Sequence, residues 1–182
     1  MKQYKNKLFA VLLTIFTLVA FSSCHDDDYE WRRGTLNFST ELDDEPIYTD
    51  NRGRFSFYYN LAAEDIGGIN ARALDIVDVR SYESEVFLFY GELFRPNDLI
   101  NITLEADGVT PRTLRMIVND NREAVVIDAD HSLLVQFMCD MAYNLARRGQ
   151  LKFYIDGELL NTPQHTYFDF EVRNDFDFQI RY

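Results

Sequence analysis

The chain has 182 residues and a formal net charge of −12. That length suits one domain large enough to bury a real core. So acidic a chain repels phosphate backbones and anionic headgroups, which argues against nucleic acid as a partner.

Residues 1–23 do not read as part of a fold. Lys2, Lys5 and Lys7 precede an apolar run from Leu8 to Phe21, broken only by Thr14 and Thr17. The run is shorter than the roughly 20 residues a spanning helix needs. Small Ser22 and Ser23 then precede Cys24, the order of a secretory signal peptide. Residues 24–33 read as an acidic tether, polar from Asp26 to Arg33 apart from Tyr29 and Trp31. The domain is expected over 34–182.

Phe21-Ser22-Ser23-Cys24 resembles a bacterial lipobox, with Phe21 where Leu is usual and Ser23 where Gly or Ala is usual. His25-Asp26-Asp27-Asp28 resembles the acidic export tag of Bacteroidetes-type surface lipoproteins. The resemblance covers about the first thirty residues. It implies cleavage before Cys24, acylation of Cys24, and a lipid-anchored protein of the outer membrane exposed at the cell surface. Several acyl chains suffice physically, since each buried methylene contributes about 0.8 kcal/mol and one chain alone binds only marginally. With Cys24 acylated, Cys139 has no intrachain disulfide partner. Its place in a helical pattern makes it a small core filler.

The mature chain alternates. Leu36, Phe38, Thr40 and Leu42 form one period-2 register, and Phe55, Phe57, Tyr59 and Leu61 another. Leu74 to Val79 and Val86 to Tyr90 read as two strand runs joined by the polar residues Ser81 to Glu85. Pro96-Asn97-Asp98 marks a turn before Ile100, Ile102 and Leu104. Asp107-Gly108 marks another before Leu114, Met116 and Val118. Asn119-Asp120-Asn121 turns into Ala124 to Ile127. Asp130 is placed as an N-cap for a helix with Leu134, Phe137, Met138, Met141, Ala142 and Leu145 on one face. Arg147 and Arg148 suit its negative end, and Gly149 its C-terminal turn. Leu151, Phe153 and Ile155 follow, with Asp156-Gly157 expected as a type I′ hairpin turn.

From Tyr167 to Tyr182 the even positions are apolar except Asn174, and the odd ones polar except Tyr167. That is a strand with one buried face. A two-residue hairpin at Asn174-Asp175 would oppose polar to apolar residues on both faces. A single path with a bend or bulge at Asn174, passing from one sheet to another, keeps the faces pure. About eight or nine strands and one late helix predict a mainly β protein. The expected fold is an antiparallel immunoglobulin-like β-sandwich with one crossover α-helix.

Chemistry is sparsely signalled. His25, His131 and His165 are the only histidines, and no G-x-S-x-G elbow accompanies them. Asp128-Ala129-Asp130-His131 and the Asn119–Glu123 turn hold oxygen ligands without EF-hand spacing. They read as turn and cap residues, so no metal, cofactor or catalytic residue is expected. Tyr58, Tyr154 and Tyr167 stand on polar registers and are the candidate contacts for a partner protein or a glycan. The function expected is a non-catalytic binding module. The alternatives are an accessory subunit of an adhesin- or fimbria-type assembly, marked by an unpaired edge strand, and a small hydrolase.

Overall fold

The computed structural model describes residues 28–40, 46–89, 94–161 and 165–182. The signal peptide and Cys24 lie outside the described residues. In chain order the elements are β1 (Tyr29–Thr35), β2 (Phe38–Ser39), β3 (Ile47–Tyr48), β4 (Arg54–Ala62), β5 (Asp75–Phe89), β6 (Leu99–Ala106), β7 (Arg112–Val118), β8 (Ala124–Val126), α1 (Asp128–Arg148), β9 (Gln150–Leu159) and β10 (Tyr167–Arg181). β1 begins inside the stretch expected to be tether.

The main path of the sheet runs β1-β10-β5-β8-β7-β6-β9-β4, with β2 and β3 also on β10. The ladders are antiparallel. This hydrogen-bonded path curls until its ends face each other. The ring of Phe55 on β4 lies 4.8 Å from Phe168 on β10, and Phe57 lies 5.0 Å from Phe170. The fold is therefore mainly β, built on one curled antiparallel sheet with one α-helix among the described residues.

β10 is the spine. Phe168, Phe170, Val172, Phe176 and Phe178 are fully buried, and each such aromatic is worth about 1.5–3 kcal/mol when removed from water. The strand is unbroken over 15 residues and pairs with β5 along its length. It does not leave β5 at Asn174, and the extra residues at the register shifts lie on β5. The register shifts between Asp175 and Phe176 because Tyr82 is skipped on β5, and again between Gln179 and Ile180.

β5 is likewise one strand of 15 residues, not two runs. Its polar middle is accommodated because Ser84 pairs with Asn174, the polar exception on β10, and both are buried. Asn174 Nδ2 donates to the Leu36 carbonyl at 3.2 Å, and its backbone N–H donates to Asn37 Oδ1 at 2.9 Å. The Ser81 and Ser84 hydroxyls lie 2.8 Å apart. This polar island satisfies the β10 edge where β1 gives way to β2.

The helix carries the expected face: Leu134, Phe137, Met138, Met141, Ala142 and Leu145 are buried. It joins the sheet's own core, with Phe137 5.9 Å from Phe153 on β9. Gly149 ends it in the left-handed conformation, φ 80°, with its N–H on the Leu145 carbonyl. Asp130, however, is not the N-cap. Ile127 holds that position and Asp130 sits in the first turn. Its carboxylate accepts from the Arg115 backbone N–H and from both Nε and a terminal guanidinium nitrogen, at 2.9–3.0 Å. A bidentate arginine competes better for a carboxylate than a helix end does. The result clamps α1 to β7. The Arg115 hydrogen bonds hold the Asp130 carboxyl below the usual carboxylate range.

Asp156-Gly157 is not a turn. β9 runs straight through it, with Gly157 opposite both Phe55 and Ile102. A Cβ there would collide with the Phe55 ring. The glycine is needed for close approach of a ring, not for a left-handed backbone.

Candidate functional site

β4 and β9 alternate so that Phe55, Leu61, Phe153 and Ile155 are buried while Ser56, Tyr58, Asn60, Lys152 and Tyr154 face out. Their register pairs Tyr58 with Tyr154. The Arg54 carbonyl and N–H are engaged by Asp50, while the Gly53 carbonyl accepts from Leu159 N–H on the opposite side. By parity, Tyr58 and Tyr154 form a non-hydrogen-bonded pair, the class in which side chains approach most closely. Their ring centroids are 5.8 Å apart, and Tyr58 remains 55% exposed. Both are thus held on rigid strands with faces open to solvent.

Lys152 extends the site. Its Nζ lies 5.2 Å from the Tyr58 ring centroid, a cation–π distance. It also lines an adjoining cleft of about 420 Å³ with Asn60, Leu61, Ala62, Asp107, Gln150 and Leu151. Asp107 is fixed there by the Lys152 backbone N–H, which donates to its Oδ2 at 3.1 Å. The arrangement offers two aromatic faces, one ammonium and several amide and carboxylate groups. These can stack on an apolar face of a ligand and hydrogen-bond to its hydroxyls.

Tyr167 is not part of this site. It pairs with Tyr48 on β3, their rings 6.2 Å apart. His165 stacks on Tyr48 at 5.9 Å, and its Nδ1–H donates to the Thr49 carbonyl. β10 and β4 meet through their inward phenylalanines, so the outward Tyr167 and the outward Tyr58 face opposite ways. A further aromatic–cation group lies where Arg80 covers Trp31 at 4.4 Å and Arg33 covers Tyr82 at 5.3 Å. The Tyr82 hydroxyl donates to Asp177, which pushes the phenol above its ordinary value.

Sequence reading missed Lys152 and Tyr48 and read His165 as an isolated surface residue, because only the register brings them beside the tyrosines. A lysine two positions before Tyr154 on the same strand face was the one local signal. The oxygen-rich stretches are otherwise engaged. Asn119 Oδ1 accepts the Asn121 and Glu123 amides at 2.9 and 3.0 Å, and Asp130 is held by Arg115. Among the described residues no group of three His, Cys, Asp or Glu is placed to hold a metal ion. Cys139 is half-buried against the core, and burial pushes its thiol up, away from thiolate. Cys24 lies outside the described residues.

No family model matches the chain, and no curated protein matches it. Among solved structures, a crystal structure of decameric BFDV capsid protein overlaps 83% of this chain and 99% of that one. The overlap has 10% identity and a TM-score of 0.35, too loose to bear on fold or function.

Proposed function

We propose that this chain is a lipid-anchored protein of the outer membrane, exposed at the cell surface, whose β-domain binds a glycan or a partner protein without catalysis. The observation carrying the binding reading is Lys152, which joins the Tyr58–Tyr154 pair to the cleft of mixed polarity beside it. Stacking faces and hydrogen-bonding groups there converge on one patch, as ligand sites require. The lipid anchor rests on the order of residues 1–24 and on the likeness to surface lipoproteins. We read the curled sheet as a variant of the immunoglobulin-like sandwich, with β10 and β5 in one layer and β9 and β4 in the facing one.

The binding reading is tested by titrating the protein with a panel of soluble bacterial and host polysaccharides, beside Tyr154→Ala. Binding of one saccharide class, weakened at least tenfold by Tyr154→Ala with an unchanged melt, supports it. Binding indifferent to Tyr154→Ala moves the site elsewhere. A second reading, a subunit of a surface assembly, is favoured by one observation: among the described residues β4 pairs with β9 alone.

A further inference from the structure

We propose that the outer edge of β4 pairs antiparallel with the same edge of a second copy of this chain, about a twofold axis through Tyr58. This deepens the assembly reading and does not depend on glycan binding.

The parity of β4 fixes which groups are offered. The odd residues turn their backbone toward β9: the Gly53 carbonyl accepts from Leu159, and Ala63 N–H donates to the Gly149 carbonyl. Even residues face away. Arg54 meets Asp50, and Ala62 N–H meets Asp65 Oδ2. Between them, the N–H and C=O groups of Ser56, Tyr58 and Asn60 point away from β9, along an edge that no strand among the described residues pairs. That is three donors and three acceptors, centred on Tyr58.

Sheet edges are normally protected by charge, proline or bulges. At the other end of the path, β1 carries Glu30, Arg32 and Arg33. β4 has no charge and no proline from Phe55 to Ala62, only aromatic, aliphatic, small or amide residues. On its inward face Phe55 and Leu61 are buried, and Phe57 and Tyr59 at the centre are half-buried and packed against the core.

The edge is self-complementary. Rotation about Tyr58 sets Tyr58 against Tyr58, Ser56 against Asn60, and Arg54 against Ala62, so no like charges are opposed. On the neighbouring β9, Asp156 stands beside Ser56 and Lys152 beside Asn60. The rotation therefore places Asp156 of one copy in the row of Lys152 of the other. The outer face of the pair would carry four tyrosines in line, a doubled contact surface for multivalent ligands.

The test is cysteine cross-linking of the full chain in intact cells, in a Cys139→Ser background. Tyr58→Cys puts identical residues across a hydrogen-bonded pair, with Cα atoms about 5.5 Å apart, within disulfide reach. Ser56→Cys alone or Asn60→Cys alone leaves the like cysteines about 14 Å apart, four residues out of register. The expected result is a covalent dimer for Tyr58→Cys, none for either single neighbour, and a dimer when Ser56→Cys and Asn60→Cys chains are co-expressed. Adding Ser56→Pro, which removes an outward N–H and spares the β9 ladder, should cut the Tyr58→Cys dimer at least tenfold. A folded Tyr58→Cys chain that stays monomeric overturns the proposal. Equal cross-linking at Tyr48→Cys, Ser56→Cys and Tyr58→Cys also overturns it, since it would report collision only. Glycan binding, read through Tyr154→Ala, stands or falls separately.

Discussion

Gly157→Ala probes how β4 is held under the binding patch. Gly157 is not among the residues with positive φ, so alanine meets no backbone strain there. In an open strand the change would stabilise by about 0.5–1 kcal/mol, through lost chain entropy in the unfolded state. Here the three nearest atoms to the added Cβ all belong to the Phe55 ring. That ring is 5% exposed and packs edge-on against Phe168, so it has little room to yield. Overpacking of this kind costs about 1–3 kcal/mol. In a Phe55→Leu background the obstructing ring is gone and Gly157→Ala should be neutral or stabilising. Urea denaturation of the four proteins in the cycle should give a coupling of about 1–3 kcal/mol, with m-values unchanged. If Gly157→Ala costs the same in both backgrounds, the glycine is not there for Phe55. The anchoring of β4 on β10 would then need another cause.

Met141 is fully buried on α1 while Asp140 is exposed, so Met141→Ala should cost about 2–5 kcal/mol and Asp140→Ala within about 0.5 kcal/mol. Equal losses in melts would mean the helix faces are misassigned. Deleting Phe176 to Tyr182 removes the buried Phe176, Phe178 and Ile180 and should give an insoluble or molten product, whereas Asp175→Ser should fold. A cooperative, near-native melt of the truncated chain would take this segment out of the core. Asp130, whose carboxyl is held low by Arg115, contributes stability that is present above the unfolded value of about 3.9 and lost as pH falls through the lower folded value. Asp130→Asn should therefore be less stable at neutral pH and should lose less stability on acidification below about pH 4 than the parent. An unchanged acid limb would show that the clamp does not titrate with folding.

Local periodicity carried most of the architecture. The alternation of β10 and the helical stripe from Leu134 to Leu145 were legible because each is a property of one segment. What depended on partners was not. Ser81 to Glu85 looked like a break in β5 because nothing local announces that Ser84 will face Asn174. Asp130 looked like a cap because Arg115 lies on another element. Asp156-Gly157 looked like a turn because a glycine needed for space and one needed for φ read alike. The candidate site divides the same way. The outward tyrosines could be named from alternation, but their grouping could not. Tyr58 meets Tyr154 through the β4–β9 register, and Tyr167 meets Tyr48 through that of β10 and β3.

Attachment of the β-domain to a membrane through Cys24 underlies the proposal that it works at the cell surface. Metabolic labelling with a radioactive fatty acid, followed by fractionation in high salt, tests this directly on the native chain and on Cys24→Ser. The native chain should carry label and remain with the outer membrane. Cys24→Ser should carry none and appear in the soluble fraction, with its fold intact by circular dichroism. A Cys24→Ser chain that stays with the membrane at high salt, or a native chain without label, would contradict the anchor.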